Sequence, residues 1–296
     1  MINQLRKIYP SIIRYEEKNN HLDHSYKWFI SHDDEIIGIR EDELTVKEQS
    51  VLTAFMVPYN VNFPIPTVEE KKWSSIIHSR DLAAKSNFKI TIPFRFVYFS
   101  IKKNEIDPVV FKSAIQELFS RNVPVLWVNG YEGIIIEELS EFEEGTSYEQ
   151  IIDILMSDLY VKIKFFVGPY RKNEERIMDH YHAVLTAARE VFFNTNRVVI
   201  TYMDAIPYLL VHQTDDAFCS EMSDTVLQEY KNDEETLKMI EVFLKSNLNL
   251  SETSKILHMH RNSLQYRLDR FFENTGIDIR QFHQAMTVYL ALLARK

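Results

Sequence analysis

The sequence predicts a multidomain α+β protein with a small α/β N-terminal domain, a mixed α/β middle domain and a wholly helical C-terminal domain. Two patterns support this prediction. Strand-like and helix-like apolar patterns alternate through the middle of the chain, whereas only helical patterns follow residue 234. The length of 296 residues is also enough for two or three domains with cores of their own.

Composition describes an ordinary soluble globular protein, with 45% hydrophobic and 26% charged residues. No apolar run approaches the roughly 18 residues that span a bilayer, and the N-terminus lacks a secretory signal. The single cysteine, Cys219, excludes an intrachain disulfide and a cysteine-based zinc site. We therefore expect a cytoplasmic protein with no membrane partner.

The charge distribution separates the C-terminal end from the rest. The net charge of −9 argues against a protein that coats nucleic acid along its whole surface. Residues 236–296 hold nine Lys and Arg against five Asp and Glu, which gives +4 and leaves −13 for the remainder. An acidic body with a mildly basic C-terminal module fits a regulator that meets DNA through one end.

Residues 1–88 form the predicted N-terminal domain. Two strand patterns, at residues 26–31 and 35–40, flank His32-Asp33-Asp34 and predict a hairpin. A capping box of Thr45 and Glu48 opens a helix. The start of this helix superficially resembles a LuxR-type helix-turn-helix, but the prolines at 58, 64 and 66 exclude a recognition helix there.

Residues 89–212 form the predicted middle domain. Its patterns follow the order β-α-β-β-α-β and then α-β, which predicts a ferredoxin-like core with an added unit. The dipeptide Asn129-Gly130 supplies the positive φ angles of a tight hairpin. The last strand is predicted over residues 197–203. A helical connector follows at residues 213–233.

Residues 234–296 form the predicted helix-turn-helix domain. Ser251 is the expected N-cap of a short helix, with Ile256 and Leu257 as its apolar anchors. Residues 258–260 make the turn. A second helix starts at Arg261 and buries an apolar stripe made of Leu264, Leu268 and Phe271. In the last helix, one face carries Phe282, Met286, Tyr289 and Leu293.

The exposed side of the second helix carries residue types that read DNA. Arginine can bind guanine through two hydrogen bonds, and asparagine or glutamine can bind adenine in the same way. This side presents Arg261, Asn262 and Gln265, with Tyr266 and Arg267 at its flank. In a helix-turn-helix the second helix lies in the major groove, so the layout predicts DNA binding.

Residues 237–293 resemble the C-terminal helix-turn-helix of the PucR/CdaR family of bacterial transcription regulators. The matching segments are 249–253, 260–264, 266–268 and 273–276, and the string HRNSLxYRL is the most specific. The family usually has alanine where this chain has Ser254, and a small serine fits there. The resemblance implies a regulator that binds double-stranded DNA and responds to a small-molecule effector. One module buries too little surface for a tight specific site, so we expect a homodimer on two half-sites.

We expect nine residues to contact DNA. Base contacts are assigned to His260, Arg261, Asn262 and Gln265. Phosphate contacts are assigned to Ser251, Thr253, Ser263, Tyr266 and Arg267.

The middle domain resembles the GGDEF-like domain of the same family at residues 168–190. Active GGDEF domains hold divalent metal with acidic residues on the first strand and the hairpin. Here the strand at residues 94–101 has no Asp or Glu, and the hairpin keeps only Gly130 and Glu132. We therefore expect a non-catalytic domain with no cofactor and no metal, in a protein that is not an enzyme.

Two alternatives remain open from the sequence. One is an enzyme built on the middle domain. The other is a ligand- or protein-binding module with a degenerate nucleotide-cyclase-like domain and no DNA role.

Overall fold

The computed structural model describes residues 2–15, 22–31, 35–59, 63–78, 92–103, 105–119, 122–139, 147–172 and 176–295. Their contacts define two compact units, Met1–Phe94 with Phe99–Ile163 and Arg95–Tyr98 with Lys164–Lys296. Within the described ranges, no helix is both long and apolar enough to cross a membrane. The fold is α+β, with sheets in the N-terminal and middle parts and helices at the C-terminal end.

The described residues of the N-terminal part form a small sheet and three helices. The strands are β1 (Ile13–Arg14), β2 (Tyr26–Ile30), β3 (Ile36–Arg40) and β4 (Val57–Tyr59), in the antiparallel order β1-β3-β2-β4. The helices are α1 (Ile2–Leu5), α2 (Val46–Phe55) and α3 (Val68–His78), and a 3-10 turn covers Glu41–Glu43. The β2–β3 pairing is the predicted hairpin, but the predicted turn at residues 32–34 lies outside the described residues.

Helix α2 begins at the capping box that the sequence predicts. The Thr45 hydroxyl accepts the Glu48 N–H at 3.3 Å, and the Glu48 carboxylate accepts the Thr45 N–H at 2.9 Å. These two bonds satisfy N–H groups that the first helical turn leaves unpaired. Helix α2 contributes Leu52 to a core that also contains Ile37 and Ile39 of β3.

The middle part contains a five-stranded sheet in the order β6-β7-β5-β8-β9. Its strands are β5 (Phe94–Ile101), β6 (Val125–Asn129), β7 (Glu132–Glu138), β8 (Ile163–Val167) and β9 (Val199–Thr201). Its helices are α4 (Pro108–Leu118), α5 (Tyr148–Leu159) and α6 (Ile177–Asn194). The β6–β7 pair is antiparallel and the β8–β9 pair is parallel. Strand β5 lies antiparallel to both β7 and β8, as the backbone hydrogen bonds at its two ends show.

The turn of the β6–β7 hairpin differs from the predicted geometry. Neither Asn129 nor Gly130 has a positive φ angle. The Asn129 Oδ1 accepts the Tyr131 N–H at 3.0 Å, and the ladder shifts register between Trp127 and Asn129. The asparagine side chain and a bulge therefore shape this turn, in place of left-handed backbone.

Seven helices belong to the second unit within the described residues. They are α6, already given, and then α7 (Tyr202–His212), α8 (Asp216–Leu227), α9 (Glu234–Lys245), α10 (Leu250–Ile256), α11 (Arg261–Thr275) and α12 (Phe282–Ala294); a 3-10 turn covers Gln228–Asn232. The predicted strand at residues 197–203 was too long, because β9 ends at Thr201. The Thr201 hydroxyl accepts the Asp204 N–H at 3.2 Å and caps α7.

The three C-terminal helices and α9 enclose one apolar core. Its fully buried members include Ile240 and Phe243 of α9, Leu264 and Phe271 of α11, and Val288 of α12. Burial of one such side chain stabilises a fold by roughly 1.5–3 kcal/mol. This core fixes α10 and α11 relative to each other.

The last helix buries a different face from the one that carries its large apolar side chains. Its buried residues are Ala285, Val288, Ala291 and Ala294. By contrast, Phe282 is 69% exposed and Met286 is 46% exposed. Small residues let α12 approach its neighbours closely, so the large side chains are left at the surface.

Candidate nucleic-acid interface

The first helix of the pair, α10, is capped by Asn249. The Asn249 Oδ1 accepts the Ser251 N–H at 3.0 Å and the Glu252 N–H at 3.1 Å. The prediction that Ser251 is the N-cap is therefore wrong, because an asparagine two residues earlier satisfies the same group of N–H donors. Ser251 lies within the first turn and is exposed.

Thr253 is buried, which contradicts its predicted contact with a phosphate. Its side chain is 0% exposed and its hydroxyl donates to the Asn249 carbonyl oxygen at 2.7 Å. A hydroxyl at the first turn of a helix-turn-helix can meet a phosphate only where it reaches the surface. Thr253 instead holds the start of α10 against the core.

The anchors of α10 also differ from the prediction. Ile256 is 53% exposed, so its assignment as an apolar anchor is wrong. Leu257 and Leu250 pack against the core. The helical period places Leu250, Thr253 and Leu257 on one face and turns Ile256 outward.

The turn between the helices is a Schellman motif. The Met259 N–H donates to the Ser254 carbonyl at 2.9 Å, and the His258 N–H donates to the Lys255 carbonyl at 3.2 Å. His258 takes the left-handed conformation, with φ of 50°. Glycine usually occupies this position, so the backbone of His258 is strained. The turn matches the predicted residues 258–260.

The core side of α11 is the predicted one. Leu264, Leu268 and Phe271 are at most 1% exposed. The helix ends where the Gly276 N–H donates to the Phe272 carbonyl at 2.8 Å, with φ of 74° at Gly276. The spacing of these apolar residues fixes which side of α11 faces solvent.

The start of α11 is open to a ligand. No side chain caps it at His260, and its first turn contains no acidic residue. The first-turn residues Arg261, Asn262 and Ser263 are exposed, as is His260. Unpaired N–H groups and the positive end of the helix dipole attract phosphate oxygens. Arg261 has no ion-pair partner in the described part of the chain.

Gln265 is half-buried and engaged within the domain. Its Nε2 donates to the Asp269 Oδ1 at 3.0 Å, and Asp269 also accepts from the Arg280 guanidinium at 2.6 Å. The Arg280 pKa is raised, first by its hydrogen bond to Asp278. This network fixes the orientation of the Gln265 side chain. A contact between Gln265 and a base therefore requires Gln265 to break or share its hydrogen bond to Asp269.

Arg267 is held by an acidic residue of α9. Its guanidinium contacts the Glu235 carboxylate at 2.5 Å, and the two side chains are 38% and 75% exposed. The Asp233 pKa is lowered, mainly by hydrogen bonds from Thr236 and also by the charge of Arg267. A phosphate near Arg267 would therefore compete with Glu235.

Tyr266, at 66% exposure, lies one turn after Asn262 on the outermost side of α11. Two further cations near this side were not predicted. Lys255 of α10 and Arg270 of α11 are exposed, and neither forms an ion pair with any residue that the structure describes.

Acidic residues limit the interface to the start of α11. Asp269 and the exposed Glu273 lie on its C-terminal half. Their carboxylates repel phosphates, whereas the first two turns, from Arg261 to Arg267, contain no acidic residue. The geometry therefore favours entry of the helix by its N-terminal end.

The middle domain does not present a free carboxylate at its hairpin. Glu132 is 6% exposed, and its Oε1 accepts from the Asn129 Nδ2 at 2.6 Å. Across the described residues, no group of three or more His, Cys, Asp and Glu side chains is arranged to hold a metal ion. Cys219 is buried beside the Val211 carbonyl.

Comparison with known proteins gives the following similarities. The family model described as the PucR C-terminal helix-turn-helix domain matches residues 236–294. The protein YxkF of Bacillus subtilis (strain 168) is 30% identical over 267 residues, which cover 87% of this chain and 86% of YxkF.

Two named regulators match over shorter segments. The DNA-binding transcriptional activator AdeR of Bacillus subtilis (strain 168) is 32% identical over 71 residues, covering 23% of this chain and 17% of AdeR. The carbohydrate diacid regulator of Escherichia coli (strain K12) is 38% identical over 55 residues, covering 19% of this chain and 14% of that regulator.

Proposed function

The chain belongs to the PucR/CdaR family of DNA-binding transcriptional regulators, and we propose that the first two turns of α11 read base edges in a DNA major groove. The observation that carries this proposal is the open start of α11, where Arg261 and Asn262 are exposed beside uncapped N–H groups. Family membership also removes the alternative of a module with no DNA role.

The residues divide by what they can reach. Arg261 and Asn262 have the fork-shaped side chains that bind guanine and adenine through two bonds, and His260 and Gln265 flank them. Phosphates are contacted by Ser251, Ser263, Tyr266 and Arg267, joined by Lys255 and Arg270. Thr253 supports α10 from the core and touches no DNA.

A homodimer on two half-sites follows from the size of this interface. One helix-turn-helix module buries too little surface for a tight specific site. A two-fold symmetric dimer doubles the contacts and reads half-sites one helical turn apart.

The remaining parts of the chain have supporting roles in this proposal. Residues 1–88 receive a small-metabolite signal, residues 89–212 form a ferredoxin-like, GGDEF-like domain without catalysis, and residues 213–233 connect them to the DNA-binding domain at 234–296. The strand order β6-β7-β5-β8 supports a ferredoxin-like core, because that fold pairs its four strands as 2-3-1-4. The chain acts in the cytoplasm, where its DNA lies.

The salt dependence of binding tests this function. A DNA fragment is first selected from the source genome by its binding to the purified protein. The affinity of the protein for this fragment is then measured at several salt concentrations. Each phosphate contact lowers the logarithm of affinity by about 0.9 per tenfold rise in salt. A steep slope together with preference over shuffled DNA supports the proposal, and equal affinity for shuffled DNA contradicts it.

A further inference from the structure

The second unit contains an open cleft beside its DNA-binding helices. The cleft has a volume of about 620 Å³ and is lined by α7, α12 and the end of α9. Ligand sites in proteins typically have volumes of about 300–1,000 Å³ and mostly apolar walls. The apolar lining residues include Met203, Pro207, Leu248, Phe282 and Met286.

The exposure of these side chains is unusual for their type. Met203 is 70% exposed, Phe282 is 69% exposed and Met286 is 46% exposed. Large apolar side chains grouped at one cleft, rather than scattered singly, mark binding surfaces. Methionine is also flexible enough to fit apolar bodies of different shapes.

One cation in the cleft forms no ion pair with the residues that the structure describes. Arg197 lines the cleft, and its guanidinium forms no ion pair or hydrogen bond with the described residues. The second cation, Lys245, is neutralised by Glu241. Asp204 also lines the cleft and keeps its negative charge, and its carboxylate accepts the Thr201 hydroxyl at 2.7 Å. An anionic group that enters the cleft would thus find Arg197 available.

We propose that this cleft binds a small amphiphilic carboxylate, with its apolar body between α7 and α12 and its carboxylate at Arg197. A planar guanidinium binds a carboxylate through two parallel hydrogen bonds. Tyr289 also lines the cleft, and its hydroxyl shares a hydrogen bond with Tyr208. The ligand class follows from the unpaired Arg197 guanidinium beside a group of exposed apolar side chains.

The cleft is connected directly to the start of the helix-turn-helix. Asn247 and Leu248 line it, and both have left-handed backbone, with φ of 52° and 61°. The Leu248 N–H donates to the Phe243 carbonyl at 3.0 Å, which ends α9 in a Schellman motif that requires left-handed backbone only at Asn247. The strained Leu248 precedes Asn249, the cap of α10. A ligand against Leu248 would therefore act on the segment that positions α10, which makes it an effector if the proposed function holds.

Fluorescence of 8-anilinonaphthalene-1-sulfonate, an anionic apolar dye, tests the site without DNA. We expect saturable binding to the full chain and displacement of the dye by octanoate but not by octanol. Arg197→Gln should weaken dye and octanoate binding about tenfold, because a hydrogen-bonded charge is lost. Met286→Glu, at an exposed position, should abolish both.

The control variant is Arg6→Gln, which removes an exposed arginine outside the cleft. Equal dye affinity for Arg197→Gln, Arg6→Gln and the unaltered chain, or equal displacement by octanol, would overturn the site. The effector role is measured separately as the change in affinity for selected DNA on adding octanoate. Octanoate binding with unchanged DNA affinity would overturn that role only. A chain that binds no DNA would refute the proposed function and leave the dye result standing.

Discussion

The Arg267 guanidinium contacts the Glu235 carboxylate at 2.5 Å, so a cation expected at the DNA backbone is paired within the protein. This pair joins α9 to α11. Because both side chains reach solvent, the pair is weak and phosphate can replace it. Glu235 is therefore positioned to lower the affinity of the interface for DNA.

Replacing Glu235 with glutamine should increase DNA affinity. We expect Glu235→Gln to tighten binding about two- to fivefold at low salt, since an exposed ion pair contributes little and its loss frees Arg267. Glu234→Gln is the matched control. This substitution removes the same charge one residue earlier, but Glu234 pairs with Arg295, directly after α12, at 2.8 Å. Equal effects of the two variants in a gel-shift titration would show that only net charge matters.

The left-handed turn residue should be sensitive to side-chain shape. A β-branched residue is strongly disfavoured at positive φ, so His258→Val should destabilise the chain by about 1–2 kcal/mol. His258→Gly should be neutral or stabilising, because glycine adopts this backbone freely. Urea unfolding measures both variants. His283→Val, at an exposed helical position, is the control. A similar loss of unfolding free energy in His283→Val would show that the left-handed backbone of His258 is not the cause.

The anchors of the helix pair can be compared by truncation. Leu264→Ala should cost about 2–5 kcal/mol of unfolding free energy, because Leu264 is 0% exposed. Ile256→Ala should cost less than about 1 kcal/mol, because Ile256 is 53% exposed. If thermal or urea unfolding gave equal losses of unfolding free energy for Leu264→Ala and Ile256→Ala, Ile256 would not face solvent and the orientation of α10 would be incorrect.

Stability should fall in mild acid because of His180. Burial lowers the pKa of His180 to about 4, with a further contribution from Arg171, and its Nε2 has no hydrogen-bond partner among the residues that the structure describes. The unfolded chain takes up this proton near pH 6.5 and the folded chain does not. Stability is therefore fully present above about pH 6.5 and is lost as the pH falls towards about 4, by on the order of 2 kcal/mol.

The measurement is unfolding by urea at about pH 7 and about pH 5. His180→Phe should reduce the difference between the two, because it removes the titrating group while keeping a ring beside Phe96, whose centroid lies 5.2 Å away. His182→Gln changes an exposed histidine two residues later on the same helix, and it should leave the difference unchanged. A pH dependence that survives in His180→Phe would assign it to other groups.

The sequence predicted most of the helix-turn-helix because its signals are local. The apolar spacing of Leu264, Leu268 and Phe271 sets the buried side of α11, and Gly276 sets its end. The strand at residues 94–101 was predicted at its observed bounds, since six of its eight residues are apolar or aromatic, which is typical of a buried strand. The GGDEF-like assignment and the domain boundaries stay predictions.

Errors arose where tertiary contacts decide the outcome. Helix α7 was missed because its apolar residues continue those of β9 and because Pro207 lies within it, although Thr201 and Asp204 form a capping pattern. Thr253 and Ser251 both carry a hydroxyl group, and only packing determines which of the two side chains is exposed. The free state of Lys255 and the pairing of Arg267 depend in the same way on neighbours distant in sequence.

The central claim is that the start of α11 reads DNA sequence, and Arg261→Ala tests it most directly. The measurement is a footprint on DNA selected by the unaltered protein, with circular dichroism as the check on folding. Loss of the specific footprint with an unchanged spectrum is the predicted result, since Arg261 is exposed and supports no core contact. An unaltered footprint with Arg261→Ala would contradict the account.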